Sequence, residues 1–130
     1  MRARLNTSTT TDPKIAQGIT ALTDGHEYVV LEISARFGMA TSFRVEFIDH
    51  GLRQSALFDT RVFTVTSHSL PPTWQYFQLE SGSFSLCPQP WNEPGFWDDY
   101  YDGDPLAVAV YEHERAAILT HSQSLTERSW

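Results

Sequence analysis

The chain has 130 residues, 41% hydrophobic and 13% aromatic, with 9 Lys+Arg against 16 Asp+Glu and a formal net charge of −7. That length suits one domain with one core of its own, and the hydrophobic fraction excludes wholesale disorder. No apolar run approaches the ~18 residues of a membrane-spanning helix, and the acidic balance argues against unaided binding to a phosphate backbone, which needs clustered Lys and Arg.

Residues 1–22 are predicted to be a flexible N-terminal tail. Arg2 and Arg4 are followed by a polar tract from Asn6 to Thr11, with no apolar segment of the kind a secretory signal requires. Ile15, Ile19 and Leu22 stand at helical spacing and admit a short helix from Lys14 to Leu22, weakened by Gly18. The ordered part is expected to start at the turn signal Asp24-Gly25, giving a single α+β domain over residues 23–130.

From Glu27 the hydrophobic period changes to two. One strand is predicted over Glu27–Arg36, and a second over Ser42–Asp49, where Phe43, Val45 and Phe47 alternate with Arg44 and Glu46. Gly38 lies between them and makes them a hairpin. After the turn Asp49-His50-Gly51, further strands are predicted at Val62–Thr66, Thr73–Leu79 and Ser83–Cys87, punctuated by Pro71-Pro72, Ser81-Gly82 and Pro88/Pro90. Glu93-Pro94 opens a short helix that stops at Gly103. Asp104-Pro105 opens a longer one, to about His121, because Asp accepts from free first-turn N–H groups and Pro suits the first helical position. Its apolar stripe comprises Leu106, Ala107, Val110, Tyr111, Ala117 and Ile118. The expected fold is therefore α+β, an antiparallel meander of about five strands with the C-terminal helix packed on one face.

Motifs for catalysis are wanting. Cys87 is the single cysteine and reads as a small core residue. Glu112, His113 and Glu114 project about 100° apart on a helix and do not converge on one ion. The run Asp98-Asp99-Tyr100-Tyr101-Asp102-Gly103-Asp104 imitates half of a calcium loop but has Tyr100 and Ala109 where ligands belong. There is no G-x-S-x-G elbow and no glycine-rich phosphate loop. No enzyme activity, cofactor or metal is expected.

The charge is the informative feature. Between Trp91 and Glu114 there are seven acids and no Lys or Arg, leaving nine acids and nine bases in the other 106 residues. The same 24 residues hold six of the 17 aromatics. Carboxylates steer and select a basic partner, while aromatics supply anchoring area. Glu93, Trp97, Asp98, Asp99, Tyr100, Tyr101, Asp102 and Asp104 are accordingly the candidate partner-binding residues. For the aromatics taken singly, packing of the short helix onto the sheet is the favoured role.

The segment Trp91-Asn92-Glu93-Pro94-Gly95-Phe96-Trp97-Asp98-Asp99-Tyr100-Tyr101-Asp102-Gly103-Asp104-Pro105, together with Asp24-Gly25-His26-Glu27-Tyr28-Val29-Val30, resembles the small bacterial immunity proteins of polymorphic or contact-dependent toxin systems. The resemblance implies a cytoplasmic protein that binds one cognate toxin domain and blocks or distorts its active site. An acidic surface suits a basic toxin, such as a nuclease shaped to meet phosphate. Nucleic acid and membrane are not expected as partners, and a homodimer is left open. Two alternatives stand beside this reading. One is a non-catalytic adaptor or structural domain of a larger assembly. The other is a small-molecule-binding α+β domain with a pocket between helix and sheet lined by Trp74, Tyr76 or Tyr111, with His50 or His68 inside it.

Overall fold

The computed structural model describes residues 1–9 and 12–128. Among the described residues, eight strands form two antiparallel sheets. Strands β1 (Arg2–Leu5), β2 (Glu27–Val29) and β6 (Phe63–Ser67) make a small sheet in the order β2-β1-β6. Strands β3 (Glu32–Ala35), β4 (Ser42–Asp49), β5 (Leu52–Asp59), β7 (Trp74–Gln78) and β8 (Phe84–Pro88) make a larger one in the order β5-β4-β3-β8-β7. Three α-helices accompany them among the described residues: α1 (Pro13–Gly18), α2 (Phe96–Tyr101) and α3 (Pro105–Arg128). The fold is mixed α+β, and no helix among the described residues is long and apolar enough to cross a membrane.

The N-terminus departs from expectation. Rather than fraying, Arg2–Leu5 is the central strand of the small sheet, with Ala3 fully buried and Leu5 nearly so. The segment is only four residues long, and its two arginines hide the alternation: Ala3 and Leu5 point into the core while Arg2 and Arg4 reach Glu27. The short helix lies at Pro13–Gly18, with the Asp12 carboxylate accepting from the Lys14 N–H at 2.9 Å. Thr10 and Thr11, the end of the polar tract, lie outside the described residues.

The strand predicted over Glu27–Arg36 is two strands, because the chain changes sheets at Val30-Leu31. The Val30 N–H donates to the Met1 carbonyl at 3.0 Å, toward the small sheet, whereas the Leu31 N–H donates to the Arg44 carbonyl at 2.8 Å, in the large one. Both side chains are buried to within 1%, so the crossing point is a core element shared by the two sheets.

Strand β5 is the element the alternation pattern does not reveal. The turn before it does: His50 and Gly51 both have positive φ, as a two-residue type I′ hairpin demands, and Asp49 faces Leu52. Beyond the turn, Leu52–Asp59 mixes apolar and polar residues on both faces.

Paired residues across an antiparallel ladder share a face. Phe43, paired with Ile33 and Phe58, looks toward the small sheet, where its ring meets Phe63 at 5.7 Å. Arg44 and Glu32 form the neighbouring pair on the opposite face, which α2 and α3 cover. Over Phe43–Val45 strand β4 is thus buried on both sides, while its end at Ile48 and Asp49 is exposed, and Arg44, whose charge and alternation suggest a solvent-facing position, is 3% exposed. Helix α3 buries Ala107, Tyr111, Ile118 and Ser122, a stripe at helical period. Leu106 falls outside that stripe and is 78% exposed.

Candidate functional site

Helix α2 begins after Gly95, whose φ of +79° turns the chain sharply out of the preceding 3-10 turn. At ~3.6 residues per turn, Phe96, Trp97, Tyr100 and Tyr101 share one side of this short helix, and Asp98, Asp99 and Asp102 the other. The structure follows that division. Phe96 is buried, Trp97 and Tyr100 are half-buried, and the three aspartates are exposed. The inward side builds an aromatic cluster with Trp91 and Tyr111: Trp91 stacks on Tyr111 at 5.2 Å, Tyr100 lies 4.4 Å from Tyr111, and Trp97 meets Trp91 edge-on at 5.4 Å. Each such pair contributes about 0.5–1.5 kcal/mol beyond its burial, which fixes a six-residue helix too short to persist alone.

Beneath the cluster lies a polar network that the sequence reading did not single out. The Arg44 guanidinium sits 3.5 Å from the Trp97 ring centre, and its Nε donates to Glu32 Oε1 at 2.8 Å. Its Nη1 donates to the Tyr101 hydroxyl at 2.7 Å, and that hydroxyl donates onward to the Ser55 carbonyl at 2.8 Å. Tyr101 is therefore 56% exposed yet held at its tip by β4 and β5. A second anchor is Glu46. Its carboxylate accepts from the Tyr111 hydroxyl and, through both oxygens, from Arg115 Nε at 2.8 Å. Burial, and then the hydrogen bond to Glu46, push the Tyr111 hydroxyl well above its ordinary pKa. Charged residues within strands, Glu32 at the start of β3 and Arg44 and Glu46 in the middle of β4, are the signal that identifies this layer.

The space beneath α2 and the first turns of α3 is thus filled by rings and ion pairs, and farther along α3 a small cavity of about 190 Å³ lies between Leu119 and the residues His26, Leu31 and Glu46. Trp74 and Tyr111 are buried, and Tyr76 stacks on Phe84 away from the helices. Cys87 is fully buried, and burial followed by the adjacent Glu32 carboxylate raises its thiol pKa far above the usual range, which disfavours the thiolate form that a nucleophile needs.

The outward side carries the acids. Glu93, Asp98, Asp99, Asp102 and Asp104 are all exposed, and among the described residues none of the five makes a salt bridge. Glu112, by contrast, is paired with Arg53 and Arg115. Asp104 also caps α3, its Oδ2 accepting from the Ala107 N–H at 3.1 Å. No protein-family model, curated protein or solved structure matches the chain significantly. The geometry of the site therefore carries the functional argument by itself.

Of the eight residues selected by charge and ring content, the structure brings five carboxyl-bearing or hydroxyl-bearing neighbours, Asp98, Asp99, Asp102, Asp104 and Tyr101, to α2 and the turn after it, with Glu93 just before the helix. Trp97 and Tyr100 belong to the same helix but turn toward the sheet. The surface can thus offer concentrated negative charge over a rigid aromatic base.

Proposed function

We propose that this protein is an immunity or inhibitor protein that neutralises a cognate bacterial toxin domain by stoichiometric binding in the cytoplasm, without chemistry of its own. The observation that carries the reading is the separation of faces on α2: Phe96, Trp97 and Tyr100 pack inward and Tyr101 is tied down by its hydroxyl, which leaves a rim of carboxylates that make no salt bridge among the described residues. Like charges held together oppose one another unless a partner offsets them. A basic toxin surface supplies that offset, and carboxylates at such a rim steer its approach. The aromatic cluster and the Arg44 network hold the acids on a fixed base, so little ordering is required on binding.

Co-expression with any toxin domain found encoded beside the gene tests this reading. The expected outcome is that the chain rescues growth and that the purified pair forms a complex of equal stoichiometry. Replacing Asp98, Asp99, Asp102 and Asp104 with Asn slows association and flattens its dependence on salt while the fold is kept. Unchanged association kinetics in that variant remove this surface as the contact.

A further inference from the structure

One apolar feature lies beside the acidic rim. Pro90, Pro94, Phe96, Leu106 and Val110 form an open groove of about 340 Å³ where the 3-10 turn after β8, the start of α2 and the first turns of α3 meet. Leu106 and Val110 are four residues apart and so neighbours along one helix face. Leu106 is 78% exposed, outside the stripe by which α3 packs on the sheet. A leucine in that position is not needed to hold the helix down.

The rim of the groove is of one sign. Glu93, Asp99 and Asp104 contribute to its lining, and the segment from Trp91 to Glu114 that builds most of it contains no Lys or Arg. Burial of an apolar group supplies binding energy without choosing a partner, whereas surrounding carboxylates favour cationic flanks and repel acidic ones.

We infer that this groove receives an apolar side chain of the toxin domain flanked by Lys or Arg, the flanking cations meeting Glu93, Asp99 and Asp104. The inference rests on the proposed function for the identity of the partner, but the groove's chemistry is testable separately. Steering by Asp98 and Asp102 brings the basic surface in; insertion beside Leu106 then slows its departure. The rim acts on association and the groove on dissociation.

Three short synthetic peptides are the probes: one with a leucine flanked by lysines, one with that leucine replaced by serine, and one with the lysines replaced by glutamates. Nuclear magnetic resonance titration of the full chain is expected to show the first peptide shifting the amides of Leu106, Ala107 and Val110. The serine peptide binds about tenfold more weakly or worse, as loss of a buried leucine side chain implies, and the glutamate peptide does not bind. Leu106→Ser, at an exposed position that leaves the fold intact, weakens the first peptide by a similar factor. Equal binding of all three peptides, or shifts confined to other residues, overturns the groove. A growth-rescue arm separates the two claims. If the wild-type chain gives no protection against the adjacent toxin, the immunity reading falls and the groove is decided by the peptides. If Leu106→Ser leaves toxin dissociation unchanged while the wild-type chain protects, the groove falls and the immunity reading stands.

Discussion

Arg44 and Trp97 are stacked 3.5 Å apart, guanidinium carbon to ring centre, across the interface between the large sheet and helix α2. The same guanidinium is paired with Glu32 at 2.8 Å, with both side chains almost wholly buried. One strand residue thereby links the neighbouring strand, the helix, and through Tyr101 the backbone of β5. The acidic rim stands on this junction.

Arg44→Met is expected to destabilise the protein by about 3–5 kcal/mol, since it strands the buried Glu32 charge. Combining it with Glu32→Gln recovers a large part of the loss, because a neutral amide in that position no longer needs a cation. Urea unfolding followed by tryptophan fluorescence measures both. Additive losses in the double variant would mean that the two side chains act independently.

Tyr111→Phe removes a hydrogen bond to a carboxylate, a loss of about 1.5–3 kcal/mol near neutral pH. The pH dependence follows from the direction of the shift. The folded-state pKa lies above the ordinary value of 10.0 because of burial and then Glu46, so the protonated hydroxyl favours the folded state. That stability is fully present below pH 10.0 and is lost as the pH rises above it toward the folded-state pKa. The gap between wild type and Tyr111→Phe therefore narrows as unfolding is measured at increasing pH beyond 10.0. A gap that stays constant would show that the hydroxyl ionises alike in both states.

The parts of the fold that were legible in the sequence are those where one periodicity speaks for one environment. Strand β4 is marked out by the alternation from Ser42 to Phe47, though that pattern shows only one of its two covered faces, and α3 announces itself by the Asp104-Pro105 start. What the pattern concealed came from residues with two-sided environments. Arg44 and Glu46 read as solvent-facing because they are charged, yet the helices cover them, and pairing with Glu32 and Arg115 respectively replaces the water they lose. Ser55 in β5 is buried against the same network, so its strand lacks a polar outer face to alternate with. Within the candidate site, composition placed acids and aromatics together, and only helix geometry separates them.

The four residues of β1 provide a direct check on the small sheet. Ala3→Glu puts a charge at a fully buried position with no partner to receive it, and is expected to abolish stable folding. Arg4→Glu, at the exposed neighbour whose contact with Glu27 is a 3.7 Å surface pair, costs about 1 kcal/mol or less. Hydrogen exchange gives an independent measure without mutation. The Leu5 amide, which donates to the His26 carbonyl at 3.0 Å, exchanges slowly with the core, whereas a flexible tail would exchange at the rate of an open chain.

Asp104 holds two roles that substitution can separate. Its charge belongs to the acidic rim, and its carboxylate caps α3 by accepting from the Ala107 N–H at 3.1 Å. Asp104→Ala removes both, and loss of the cap costs about 0.5–2 kcal/mol. Asp104→Asn removes the charge alone, because the amide oxygen still accepts at the helix start and Asn ranks with Asp as a cap. Thermal unfolding is expected to order the proteins as wild type, then Asn close behind, then Ala clearly below. Association with the toxin domain at low salt should group them differently, with Asn and Ala slowed alike relative to wild type, since steering depends on charge and not on the cap. If Asn associates as fast as wild type, Asp104 serves the helix and takes no part in the encounter.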